Sequence, residues 1–370
     1  MSARAVRIEC GPRRGCVTAP RSKSHEHRLL IASFLSGDYT HLSPCEGDAD
    51  DILATKRSLL ELSRDGDAPV LDCGESGSTR RFLSPIASAL GKRPVFKTAG
   101  RLAERPQADY GILKSGLFTL EGAVSSQFVT GLLFALPILK GDSSIRFSSP
   151  LESRGYVDMT LRVLSESGIV VSERSDGFDI PGSQKYKKIK NYIVEGDWSG
   201  AAFWYAMNCL GGEVKVQGLD DKSAQPDKVV YALLKKICEA NGASSLEVDV
   251  SECPDLFPVL SVVAAAQRRE VVFSGIKRLR YKESNRVSAM AGVLGRLGVA
   301  TREKETFFKV FGKGEMFRSC EIATLSDHRI AMASAVAATF ASGEIILDDA
   351  ACAAKSYPAF FDEFFKLQKI

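Results

Sequence analysis

No run in this chain of 370 residues approaches the roughly 18 uncharged apolar residues that a membrane-spanning helix needs, which excludes an integral helical membrane protein. There is no CxxC pair. The nine cysteines fall singly and are odd in number, which fits reduced, mostly buried thiols and argues against a disulfide framework or a zinc site. Histidine is scarce, with four residues, and although His25 and His27 flank Glu26, an i, i+2 pair on a helix faces opposite sides, so no metal site is expected. Neither a GxxxxGKS/T loop nor a GxGxxG turn after a strand is present, which removes the standard nucleotide-binding devices. Charge of one sign is also not in large excess: 49 Lys and Arg against 45 Asp and Glu leave +4, too little by itself for a nucleic-acid protein. The first residues lack an apolar h-region and Ala5-Val6-Arg7-Ile8 reads as a strand, so no secretory signal is expected and the expected location is the cytoplasm.

What the chain does have is apolar material, 45% of residues, enough for two or three domains. It also has a repeat. Six apolar, small-residue-rich segments read as buried helices: 28–35, 82–90, 128–139, 201–210, 256–266 and 330–340. Five are followed by a glycine suited to a left-handed C-cap (Gly37, Gly91, Gly141, Gly211, Gly343), and each runs into a strand-like stretch such as Val214-Lys215-Val216 or Ile345-Ile346-Leu347. A second, amphipathic helix type alternates with them at 51–62, 157–167, 228–240 and 286–297, and is weak in the second and sixth copies. Six helix-glycine-strand units over the chain imply an α/β fold of two domains with three units each. The division is expected near Glu195-Gly196-Asp197, giving residues 1–20 plus 195–370 as one domain and 21–194 as an inserted one. A single doubly wound sheet with insertions is the alternative.

The residues before the buried helices carry the chemistry. They read Arg21-Ser22-Lys23-Ser24, Gly74 to Arg81, Ser125-Ser126-Gln127, Gly196 to Gly200, Ser251 to Asp255, and Ser326-Asp327-His328-Arg329. Ser or Asp in each supplies an N-cap, which alone accounts for about 1 kcal/mol and needs no ligand. The cations need another explanation. A helix N-terminus is positive, so Lys23, Arg28, Arg80, Arg81 and Arg329 are expected at places that disfavour them unless an anion lies among them. Arg101, Arg105, Lys282, Arg286 and Lys355 stand in adjoining loops. Distributed cations without a nucleotide loop or an evident metal point to polyanionic, phosphorylated substrates and to chemistry away from phosphorus.

Taken in order, Pro20-Arg-Ser-Lys-Ser24, the Gly74–Arg81 loop, Glu104-Arg105-Pro106, Val124-Ser-Ser-Gln127, Glu195-Gly-Asp197, Lys282-Glu283 with Arg286, Asp327-His-Arg329 and Ala354-Lys-Ser-Tyr-Pro358 resemble the 5-enolpyruvylshikimate-3-phosphate synthase family of enolpyruvyl transferases, over nearly the whole chain. The resemblance implies an inverted-barrel-like α/β fold with the active site in a cleft between two domains that closes on its ligands. It implies a transferase of aromatic amino acid (chorismate) biosynthesis, and the target of glyphosate. Such an enzyme joins the enolpyruvyl group of phosphoenolpyruvate to the 5-hydroxyl of shikimate 3-phosphate through a tetrahedral intermediate. It implies no cofactor, no metal, no nucleic acid and no membrane, and a monomer is expected.

Carried over residue by residue, the resemblance assigns Lys23, Gly77, Arg105, Gln127, Arg286, Arg329 and Lys355 to phosphoenolpyruvate. Lys23, Ser24, Arg28, Ser125, Ser126, Gln127, Ser153, Tyr156, Asp255 and Lys282 are assigned to shikimate 3-phosphate. Asp255, Glu283 and Lys23 are the catalytic candidates, with Asp255 toward the 5-hydroxyl and Glu283 with Lys23 toward the enol carbon and leaving phosphate. A side chain at position 77 would intrude on the small substrate. Glu75, Arg278, Asn285 and Arg154-Gly155 depart from the family's usual residues. Three rivals stand beside this reading: a sister enzyme acting on a UDP-amino sugar, which would favour a loop cysteine; a nucleic-acid binder or processing enzyme, which would need aromatic stacking among the basic motifs; and an inactive member, which is opposed by the presence of every candidate acid, base and anion ligand.

Overall fold

A computed structural model of the chain describes residues 5–123, 125–239 and 245–370. Val124 of the hydroxyl-rich motif and Ala240 at the end of an expected helix lie outside the described residues. The chain divides into two compact units: a terminal unit of residues 1–22 and 195–370, and an inserted unit of residues 23–194.

In the terminal unit the buried helices are Trp198–Cys209, Phe257–Ala266 and His328–Ala337. All ten residues of the second, FPVLSVVAAA, are buried, as a helix apolar on every side must be. Amphipathic partners Val230–Glu239 and Arg286–Arg296 cover them with one face only. Three sheets follow the helices: Val6–Ile8, Ile345–Leu347 and Cys320–Ile322; Gln368–Lys369, Arg13–Thr18 and Glu213–Gln217; and the four-stranded Ser245–Asp249, Glu270–Ser274, Phe308–Phe311 and Ala300–Glu303. Each is mixed, joining a parallel pair to antiparallel neighbours, for example Arg13–Thr18 parallel to Glu213–Gln217 and antiparallel to Gln368–Lys369.

The inserted unit has its own core, built from Leu29, Leu30, Phe82, Leu132, Leu133, Phe134 and Phe178 among others. Its buried helices are Lys23–Leu35, Gly77–Ala89 and Ser126–Ala135, and its amphipathic ones are Asp50–Leu62 and Arg154–Glu166. Val70–Gly74 pairs in parallel with Val95–Thr98, and a four-stranded sheet runs in the order Leu117–Glu121, Ser143–Ser149, Gly177–Ile180, Ser172–Arg174. Among the described residues none of the five sheets closes into a barrel.

The repeat departs from its expected form in two places. No strand follows the helix Lys23–Leu35, because the Asp38 carboxylate accepts the Thr40 backbone N–H at 3.2 Å and turns the chain. Gly37, Gly91 and Gly211 adopt the left-handed conformation, with φ of 80°, 77° and 99°, but Gly141 and Gly343 do not. There the helices instead tighten into the 3-10 turns Leu136–Ile138 and Ala338–Phe340, whose i to i+3 bonds satisfy the last carbonyls. The weak second and sixth copies are short: Gly100–Glu104 is a 3-10 turn, and Ala351–Lys355 precedes the seven-residue helix Phe360–Lys366.

Candidate active site

In the terminal unit, Arg286 is the first residue of its helix, capped by Asn285, whose side-chain oxygen accepts the Ser288 N–H. Placing a cation at that positive end costs energy, and burial of the side chain to 1% exposure costs more. Three carboxylates offset both costs. The guanidinium contacts Asp255 at 2.8 Å, Glu283 at 2.7 Å and Asp327 at 2.9 Å. Burial opposes the charge on Arg286, but Asp327, Glu283 and Asp255 together hold its pKa above the usual value.

Asp255 gathers the remaining cations. Lys282 Nζ lies 3.3 Å from it and Arg329 Nη2 lies 3.4 Å away, while Lys355 Nζ approaches Glu283 at 3.8 Å. Four cations (Lys282, Arg286, Arg329, Lys355) thus meet three carboxylates (Asp255, Glu283, Asp327) in one network. Burial pushes the Asp255 carboxyl up, yet Lys282, Arg329 and Arg286 outweigh it and hold the group well below the ordinary carboxylate range. It is anionic at neutral pH, and its side chain keeps 23% exposure, so a ligand can reach it. Asp255 lies inside the 3-10 turn Pro254–Leu256, and no side-chain cap is made at that turn's start, so simple capping does not account for it.

Asp327 stands in the sequence as an N-cap candidate, and the structure adds a second role. Its Oδ1 accepts the Arg329 N–H at 2.9 Å as the helix N-cap, and its Oδ2 accepts from Arg286 Nε and from the Ser284 hydroxyl, each at 2.9 Å. A wholly buried carboxylate therefore ties two candidate anion ligands together. The signal was available: Asp327 stands at a helix start next to an arginine. Arg329 is fixed further by donating to the Ser199 carbonyl at 3.0 Å.

In the inserted unit, Ser76 caps the helix Gly77–Ala89 by accepting the Thr79 N–H. Arg81, one turn in, donates to Gln127 Oε1 at 2.6 Å and to the Pro106 carbonyl at 3.2 and 3.0 Å. Gln127 Nε2 donates to Ser78 Oγ at 2.9 Å, and Ser125 Oγ caps its own helix by accepting the Gln127 N–H at 3.2 Å, with Ser126 beside it. A Cβ at position 77 would sit 3.0 Å from both Arg105 Nη2 and Arg81 Nη1, so a side chain there would press on the two guanidiniums that flank the backbone. Lys23 Nζ is paired with Asp51 at 2.8 Å, which sequence reasoning did not identify. His27 Nδ1 shares a hydrogen bond with Thr55 Oγ1 at 2.8 Å, and Thr55 in turn bonds Thr79 at 2.6 Å. Ser24 and Tyr156 flank Arg28, each offering it a backbone carbonyl.

Arg28 differs from its expected place. The helix begins at Lys23, so Arg28 is its sixth residue and lies beyond the first turn, where the end of the helix no longer repels a cation. Buried, it donates to Thr160 Oγ1 at 2.9 Å and to the Tyr156 carbonyl at 2.8 Å, and its guanidinium lies 5.4 Å from the Phe82 ring centroid. Burial lowers its pKa to about 10, still far above neutrality. Arg80, the fourth residue of its own helix, stacks 3.6 Å from the Phe96 ring centroid. Ser153 does not cap the helix Arg154–Glu166; it holds a left-handed φ of 55°, costing roughly 1–2 kcal/mol in a non-glycine residue. Among the described residues no three His, Cys, Asp or Glu side chains gather as a metal site, and no helix is long and apolar enough to cross a membrane.

The chain resembles two solved structures in fold. One is an EPSP synthase from Acinetobacter baumannii, with a TM-score of 0.73 and 23% identity over 98% of both chains; the other is the enolpyruvyl transferase NikO from Streptomyces tendae, with a TM-score of 0.71 and 13% identity over 100% of this chain and 98% of that one. The class so defined is the two-domain α/β fold of the enolpyruvyl transferases. Sequence narrows it: the chain is 36% identical to proteins named 3-phosphoshikimate 1-carboxyvinyltransferase from Clostridium kluyveri (95% of this chain, 94% of that protein) and Clostridium perfringens (96% of each). The family model for EPSP synthase (3-phosphoshikimate 1-carboxyvinyltransferase) matches residues 107–364, and the chain belongs to that family.

Proposed function

We propose that this enzyme transfers the enolpyruvyl group of phosphoenolpyruvate to the 5-hydroxyl of shikimate 3-phosphate and releases inorganic phosphate, a step of aromatic amino acid biosynthesis. Family membership supports the reaction. The observation that carries the site is the convergence of Lys282, Arg286, Arg329 and Lys355 on Asp255 and Glu283, since both substrates are polyanions and a guanidinium binds phosphate or carboxylate strongly.

Asp255 takes the 5-hydroxyl proton while that oxygen bonds to C2 of phosphoenolpyruvate and C3 gains a proton, forming a tetrahedral adduct. C3 then loses a proton and the C2–O bond to phosphate breaks. In the free protein Lys282, Arg286 and Arg329 make Asp255 a weak base. A substrate phosphate or carboxylate that engages those cations weakens their hold, so the pKa of Asp255 rises as the substrates bind and the base becomes competent when needed. Glu283, between Arg286 and Lys355, serves C3 by the same logic, and Lys23 serves C3 and the departing phosphate. Arg286, Arg329, Lys355, Arg105 and Gln127 hold phosphoenolpyruvate, with Gly77 giving its phosphate access. Ser24, Arg28, Ser125, Ser126, Ser153, Tyr156 and Lys282 hold shikimate 3-phosphate. The enzyme acts as a monomer in the cytoplasm and needs no nucleic acid.

Phosphoenolpyruvate carrying 18O in its bridging C–O–P position tests the bond cleaved. C–O cleavage delivers the label to inorganic phosphate; label retained in the carbon product would overturn the scheme.

A further inference from the structure

Of the motif Ala354-Lys-Ser-Tyr-Pro358 the chemistry above uses Lys355 alone, yet Tyr357, two residues on, is also buried, at 2% exposure. Its hydroxyl accepts a hydrogen bond from Trp204 Nε1 at 3.2 Å and donates one to Glu363 Oε2, so the phenol is used both as acceptor and as donor. The ring stands edge-on to Trp204, with centroids 6.2 Å apart, and edge-on to Phe360 at 5.6 Å. A Cβ on Gly200 would lie 3.4 Å from Tyr357 Cδ1, so the ring also packs on the first turn of the helix Trp198–Cys209.

These contacts join three segments of the terminal unit. The Tyr357 N–H donates to the Ala353 carbonyl at 2.9 Å, which ties the ring to the turn Ala351–Lys355 that ends on Lys355. The helix Trp198–Cys209 offers its Ser199 carbonyl to Arg329 at 3.0 Å. Glu363 belongs to the closing helix Phe360–Lys366, where burial raises its carboxyl and the Tyr357 hydroxyl offsets part of the rise.

We propose that Tyr357 is a positioning residue for phosphoenolpyruvate: anchored on Trp204 and Glu363, it sets the turn that presents Lys355 and braces the helix turn that holds Arg329. The inference rests on the assignment of Lys355 and Arg329 to that substrate. An anion that binds a cation on a loose turn must also order the turn, and pre-ordering removes that cost. Without the hydroxyl, the Trp204 N–H is buried unpaired and Glu363 loses its donor, so the ring shifts and the turn loosens. The loss falls on ground state and transition state alike, which raises KM and spares kcat.

The experiment follows phosphate release by the whole protein at saturating shikimate 3-phosphate in the parent, Tyr357→Phe, Glu363→Ala and Glu363→Gln. KM for phosphoenolpyruvate should rise about five- to tenfold in Tyr357→Phe and in Glu363→Ala, with kcat, and Kd for shikimate 3-phosphate by calorimetry, within about twofold. The double variant Tyr357→Phe/Glu363→Ala should be no worse than either single one, since both remove the same bond. Glu363→Gln keeps an acceptor for the hydroxyl and should stay within about twofold of the parent KM. A role in folding alone would lower the active fraction, which reduces kcat and leaves KM unchanged. Glu363 is half-buried, so Glu363→Ala carries the test should Tyr357→Phe not fold. In an active parent, unchanged KM in the variants, a loss confined to kcat, or an additive double variant would overturn this inference alone. A parent whose phosphate release does not depend on shikimate 3-phosphate would overturn the reaction assignment and this inference with it.

Discussion

Replacing Asp327 with alanine removes one carboxylate from three positions at once. Arg286 Nε loses a partner at 2.9 Å, the Ser284 hydroxyl loses its acceptor, and the Arg329 N–H loses its cap. Since the Arg286 side chain is 1% exposed and Asp327 is 0% exposed, solvent cannot replace the lost partner. Breaking such a buried pair costs about 3–5 kcal/mol, and the lost cap about 1 kcal/mol more. At about 2–4 °C per kcal/mol for a unit of this size, Tm of the terminal unit falls by roughly 8–24 °C. Asp327→Asn keeps an oxygen for the cap and loses only charge, so about half the effect is expected. Urea unfolding followed by circular dichroism measures both variants, and a double-mutant cycle with Arg286→Met isolates the pair, with a coupling of about 2 kcal/mol or more. A loss below about 1 kcal/mol for Asp327→Ala, or additivity in the cycle, would refute the claim that this carboxylate holds the cation cluster together.

Asp255→Asn and Glu283→Gln should each leave the dissociation constant for shikimate 3-phosphate within a few-fold by calorimetry while cutting kcat by about a hundredfold; near-normal turnover would remove them from the chemistry. Gly77→Ala puts a methyl 3.0 Å from Arg105 and Arg81, so KM for phosphoenolpyruvate should rise about tenfold or more in steady-state kinetics while that for shikimate 3-phosphate changes little. Burial lowers the His27 pKa to about 3, against 6.5 in the unfolded chain. The unfolded state therefore binds a proton below pH 6.5 that the folded state refuses, and stability drops by about 1.4 kcal/mol per pH unit between pH 6 and pH 4. His27→Gln should flatten that slope in denaturant titrations by the same amount; an unchanged slope would assign it elsewhere.

The helix part of the fold was legible because its signal is local. Apolar residues on every side of Phe257–Ala266 and His328–Ala337 mark buried helices, and the stripe of Asp50–Leu62 marks a covering one. The missing strand after Leu35 was not legible, since Asp38 turns the chain with a side-chain bond that competes with strand pairing. The cations of the candidate site were visible as misfits at helix starts, but their partners were not. Asp255 and Arg286 are 31 residues apart, and Asp327 is 41 residues from Arg286, so only tertiary folding shows that protein carboxylates supply part of the counter-charge. Arg28 misled because its helix starts five residues earlier than the apolar run.

The central claim is that the anion-binding clusters serve phosphoenolpyruvate and shikimate 3-phosphate together. Its most direct measurement is release of inorganic phosphate from phosphoenolpyruvate by the purified protein, with and without shikimate 3-phosphate and with no added metal or nucleotide. Release that depends on shikimate 3-phosphate, and that Asp255→Asn reduces by about a hundredfold, is the result expected. Release that is independent of shikimate 3-phosphate, or none with both present, would contradict the account.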